Sequence, residues 1–126
     1  MQRQTPNEAQ AVFDADDLMA RCLGNLEFAE HILAMFQTRF GEDLGALDEV
    51  VARGDVESVV HLAHRLKGAA ANAAAPGLKA LAAEIEQLAH ARNLQAIPTR
   101  LADLKEEWAW FRETASLWAP GVALER

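Results

Sequence analysis

At 126 residues, 51% of them hydrophobic, the chain is about one domain long and can build one compact core, with no room for a second. Lys and Arg number 12 against 19 Asp and Glu, and the formal net charge of -7 is the wrong sign for a surface that releases counterions from nucleic acid. No window approaches the roughly 18 unbroken apolar residues of a membrane span, and the first residues carry no signal-peptide core, so the chain reads as soluble and cytoplasmic. The single cysteine, Cys22, has no internal disulfide partner and reads as a buried, inert thiol in a reducing compartment.

Ala, Leu and Glu dominate and long β-branched runs are missing, which predicts helix nearly everywhere and no sheet. Residues 1–11 are polar, include Pro6 and lack periodicity, as a flexible arm does. A short helix follows, capped by Asp14 or Asp16, with Leu18, Met19, Cys22 and Leu23 on its apolar side and Gly24 at its end. Asn25 caps a long second helix whose apolar residues Leu26, Ala29, Leu33, Phe36, Phe40, Leu44, Leu47 and Val51 step by three or four. Gly54 and Asp55 stop that helix and cap the next, the pattern of two antiparallel neighbours.

The third helix is predicted from about Val56 to the alanine-rich stretch near Ala74, with Pro76 and Gly77 marking the turn. A fourth carries Leu78, Leu81, Ala82, Ile85, Leu88 and Ala89 on one side. After a polar joint around Asn93 and Gln95, a fifth starts near Pro98 and packs through Leu101, Leu104, Trp108, Phe111, Ala115 and Trp118. The sum is an all-α, antiparallel four-helix bundle over 12–118 with a short additional N-terminal helix and a tail over 119–126.

On the third helix, at about 100° per residue, Val59, Leu62, Ala63, Leu66, Ala70 and Ala73 form one stripe, and His64 falls roughly 140° from its centre. His64 therefore faces water, with Lys67, Gly68 and Ala71 on its side. These residue types suit phosphoryl chemistry. An imidazole keeps a lone pair near neutral pH, Lys67 can pair with phosphoryl oxygens as a point charge, and Gly68 leaves the backbone bare for a close approach. A helix-interior glycine otherwise costs about 1 kcal/mol relative to Ala.

His64, Arg65, Leu66, Lys67, Gly68, Ala69 and Ala70 resemble the H-x-L-K-G-small-small signature of histidine phosphotransfer (HPt) domains. The likeness extends over roughly residues 12–92, through Val12, Leu18, Arg21, Asn25, Phe28, Phe36, Leu47, Gly54, Asp55, Ala63, Leu78, Leu81 and Glu86. The resemblance implies a relay of phosphoryl groups between receiver-domain aspartates, with a response regulator or a hybrid sensor histidine kinase as partner. It implies His64 as acceptor at Nε2, Lys67 as phosphate partner, Gly68 as clearance and Glu86 as a group orienting the other ring nitrogen. A solvated Glu86 is the alternative. No cofactor is implied for this chain, since Mg²⁺ would sit on the partner receiver. Where the family usually has an apolar residue followed by glycine, this chain has Ala73 and Ala74, and the third helix is expected to run slightly longer before Pro76.

The competing readings are blander. His31, His61 and His90 read as solvated surface residues, with His61 bordering the docking surface. Metal binding through His61 and His64 lacks an evident third ligand and the Glu-x-x-His pattern of di-iron bundles. Trp110 and Trp118 read as bundle-edge packing. No nucleophile elbow or nucleotide-binding loop is present, so the chain is read as a stoichiometric carrier and not an enzyme. The patterned last helix favours a free-standing protein over a piece of a larger kinase. The rival function is a helical interaction module that binds a signalling partner without accepting phosphate.

Overall fold

The computed structural model of the chain describes residues 11–118. The expected tail over 119–126 and all but the last residue of the expected arm lie outside the described residues. Among the described residues Ala11 and Val12 are helical, and five α-helices then follow one another: α1 (Ala15–Arg21), α2 (Leu26–Arg53), α3 (Val56–Asn72), α4 (Pro76–His90) and, after a 3-10 turn at Leu94–Ala96, α5 (Ile97–Trp118). No strand occurs among the described residues. The four longer helices pack in a ring, α2 on α3, α3 on α4, α4 on α5 and α5 back on α2, with α1 against α2.

Side-chain caps start three of the helices. Asp14 Oδ1 accepts from Asp17 N at 3.1 Å, Asn25 Oδ1 from Phe28 N at 3.0 Å and Asp55 Oδ1 from Ser58 N at 3.3 Å. Four helices end alike, with a left-handed residue followed by an amide that reaches back to the last turn. Those bonds run from Gly24 N to Met19 O, Asp55 N to Val50 O, Ala75 N to Ala70 O and Asn93 N to Leu88 O, at 2.8 to 3.0 Å. Only the end of α2 gives its left-handed position to glycine alone, at Gly54; Leu23, Ala74 and Arg92 hold φ between 56° and 59°.

Three expectations are corrected here. The third helix stops at Asn72 and does not run on, because Ala74 adopts a left-handed turn with φ 59°. Ala74 is held there by burial and by its carbonyl, which accepts from Asp14 N at 2.8 Å. Leu23 is not on the apolar side of α1, since its left-handed backbone turns it out to solvent. Along α2, Leu26 is exposed in the first turn and Val50, rather than Val51, completes the buried stripe.

The two sides of the bundle are built from different material. Between α2 and α5 the core is aromatic, with Phe40 stacked on Trp108 at 4.6 Å between centroids and Phe36 edge-on to Phe111 at 5.2 Å, and Phe13, just before α1, is edge-on to Trp118 at 5.4 Å. On α3, α4 and their connection the fully or nearly fully buried residues include Ala63, Ala70, Ala73, Ala74, Ala75, Ala82 and Ala89. Small side chains let two backbones approach, and α3 and α4 share the most extensive backbone contact among the described elements. That closeness positions the site described next.

α4 lacks a side-chain cap at its N-cap residue, Ala75. The carboxylate of Glu107, buried on α5, lies against Gly77 in its first turn, where any Cβ would collide with it. Only glycine leaves room for that side chain there.

Candidate functional site

α3 sends Val59, Ala63, Leu66 and Ala70 into the core and the opposite residues outward. His64 is on the outward side, 68% exposed at its side chain. Gly68, one turn further, is also exposed, and a Cβ built there would meet nothing within 4 Å. The cost of a glycine in mid-helix is therefore not offset by a close contact within the described chain.

Glu86 reaches across from α4. Its Oε2 lies 3.0 Å from His64 Nδ1 and its Oε1 2.8 Å from Lys67 Nζ. One carboxylate thus joins two α3 residues that a helical turn separates. Its side chain is only 13% exposed and Lys67 is 32% exposed, so the pair forms a partly buried floor beside the open imidazole. The hydrogen bond from Lys67 chiefly, and then that from His64, holds the Glu86 carboxyl below the usual carboxylate range against the opposing effect of burial. An ionised carboxylate can only accept, so Nδ1 carries the proton and Nε2 the lone pair.

The structure places His64 on the outward side of α3 and the Glu86 carboxyl beside its Nδ1, with the Glu86 side chain 13% exposed. Lys67 is found on Glu86. Two further contacts were not anticipated. Arg65, beside His64, forks onto Asp43 of α2 through Nε at 3.1 Å and Nη2 at 2.8 Å, an arrangement that pins α2 to α3. Asp43 also raises the already high pKa of the Arg65 guanidinium. His90 Nε2 stands 3.8 Å from Glu86 Oε2. The four-residue spacing from Glu86 to His90 was a readable signal, whereas the burial of Glu107 on α5 had none.

His61 lines a groove of about 410 Å³ between the ends of α3 and α4, together with Glu57, His90 and Arg92. His31 lies on the outer face of α2, in a separate depression with Met35 and Arg39. Among the described residues no group of three or more His, Cys, Asp or Glu side chains is placed to hold a metal ion, so His61 and His64 have no third ligand there. A larger cavity, about 560 Å³, opens between α4 and α5 around Glu84 and Arg100, on another side of α4 from Glu86. Among the described residues no helix is long and apolar enough to cross a membrane.

The Hpt domain family model matches residues 31–114. Among solved structures, the chain is similar to histidine-containing phosphotransfer protein B from Pseudomonas aeruginosa PAO1, with 25% identity and a TM-score of 0.74 over 88% of this chain and 95% of that one. No curated protein sequence matches.

Proposed function

The chain belongs to the Hpt domain family, and from that premise we propose that it relays a phosphoryl group between receiver-domain aspartates by way of a phosphohistidine at His64. The observation that carries this reading is an exposed imidazole whose Nδ1 is tied to a carboxylate, which directs the lone pair on Nε2 toward solvent. In the step, the bond between phosphorus and the donor's aspartyl oxygen breaks as the bond from Nε2 forms. The aspartate leaves as a carboxylate, and the positive charge gained by the ring is compensated through Nδ1–H by Glu86. Such transfer demands positioning and charge compensation more than covalent machinery.

Lys67 has three donors and can hold Glu86 while offering another to a phosphoryl oxygen. The bare backbone at Gly68 admits the partner's active-site loop. The receiver, carried by a response regulator or a hybrid sensor histidine kinase, docks over α3 and part of α2 and brings its own aspartate and Mg²⁺. The chain itself acts stoichiometrically, in the cytoplasm, without an ATP site of its own.

Incubation with a phosphorylated receiver tests this reading. An acid-labile, alkali-stable adduct should form on the wild-type chain and be lost in His64→Gln with helicity unchanged, while Lys67→Ala should slow transfer or shorten the adduct's life. Binding of the receiver without any such adduct would favour the interaction module instead.

A further inference from the structure

Three groups able to carry positive charge converge on the single carboxylate of Glu86. Lys67 Nζ occupies Oε1 at 2.8 Å. The other oxygen, Oε2, is shared by two imidazoles, His64 through Nδ1 at 3.0 Å and His90 through Nε2 at 3.8 Å. The longer distance is beyond a hydrogen bond and within ion-pair range, so the contact depends on the charge of His90. His90 is the last residue of α4 and 64% exposed, with room to swing toward Oε2.

The charged and titratable groups around His90 come from each element that packs there. Glu86 lies on its own helix, Glu57 and His61 line the same groove from α3, and Arg92 closes it from the turn that follows. His64 and Lys67 act on it through Glu86. α5 meets α4 elsewhere, with Arg100 paired to Glu84 at 3.3 Å, and residues two apart on a helix do not share a face. Glu86 is therefore the acceptor through which His90 and His64 are connected.

We propose that His90 is a positioning residue for His64, its charge deciding how much of the Glu86 carboxylate is left to hold His64 Nδ1–H and so to keep Nε2 as the nucleophile. The inference rests on the phosphocarrier reading of His64. Neutral His90 leaves Oε2 to His64. Protonated His90 draws on the same oxygen, and His64 relaxes toward the Nε2–H form, whose outward nitrogen has no lone pair to attack phosphorus. Acceptance then falls in acid for a reason beyond the protonation of His64 itself.

Nitrogen-15 NMR of the unphosphorylated full chain reads the tautomer of neutral His64 directly, and two variants fix the charge at position 90. In His90→Gln the Nδ1–H form should predominate at every pH. In His90→Arg its share should be lower severalfold even at mildly alkaline pH. Wild type should pass from the first behaviour to the second as His90 gains its proton. Phosphoramidate, which gives its phosphoryl group to a ring nitrogen and releases ammonia, should label His64 severalfold more slowly in His90→Arg than in His90→Gln. A merely structural role would move both variants in the same direction. One tautomer ratio common to all three proteins, or a shift of the same sign in both variants, would overturn the proposal. Separated tautomer ratios without phosphorylation of His64 in any of them would sustain the role of His90 and sink the phosphocarrier reading.

Discussion

Glu86 does two jobs whose consequences separate by pH. Its carboxyl is held below the usual carboxylate range, so its ion pair adds stability at pH values above the unfolded-state pKa of about 4.3, and that stability is lost as pH falls through the lower folded-state value. Urea unfolding as a function of pH should show a larger loss of stability in acid for wild type than for Glu86→Gln, and parallel curves would remove the linkage. Gly68 allows a cleaner separation of folding from function. Since a Cβ there meets nothing within 4 Å, Gly68→Ala should raise stability by about 1 kcal/mol in chemical denaturation. Gly68→Gln should slow transfer from a phosphorylated receiver while remaining folded. A slow, stable variant would place the reason for this glycine in the partner and not in the bundle.

At the level of helices, the repeated feature is a left-handed residue at the C-cap of α2 and just after the C-caps of α1, α3 and α4. Glycine takes it without strain, and an L-residue there costs roughly 1–2 kcal/mol. Arg92 is exposed at φ 56°, in a turn closed by the bonds from Arg92 N to Ala89 O and from Asn93 N to Leu88 O. Arg92→Gly relieves the strain but frees the unfolded chain, and the net should be a gain of about 0.5–1 kcal/mol, measured as a higher urea midpoint at unchanged slope. Ala74 is a different case. Its methyl is buried and its carbonyl holds Asp14 N, so packing and hydrogen bonding offset the strain that glycine would avoid. This is why the chain turns at Ala74 without a glycine there.

Across the whole molecule, the distribution of side-chain volume decides the site. Aromatic rings hold α2 and α5, while buried alanines let α3 and α4 come close enough for one glutamate to reach both His64 and Lys67. Ala82→Leu should wedge this seam, at a cost of about 1–3 kcal/mol for overpacking. It should also loosen Glu86 from His64, seen as a loss of the Nδ1–H tautomer by NMR; destabilisation with an unchanged tautomer would show that the reach of Glu86 does not depend on this spacing. The Arg65–Asp43 fork and the Lys105–Asp48 pair at 2.9 Å tie α2 to its two neighbours around the same ring.

Helix positions, the start caps at Asn25 and Asp55, the outward face of His64 and the resemblance in the segment His64–Ala70 were all legible in the sequence, because each depends on spacing along one helix or on local hydrogen bonding. The left-handed turn at Ala74, the exposure of Leu23 and Leu26, and the burial of Glu107 against Gly77 were not, since they depend on what another segment places nearby. The same division runs through the site. Sequence alone determined that an imidazole, an ammonium group and a bare glycine share one face of α3. Only the tertiary structure decided that Glu86 ties His64 to Lys67 and that His90 shares its second oxygen, because contacts between helices follow from how closely their backbones pack, and no single helix encodes that distance.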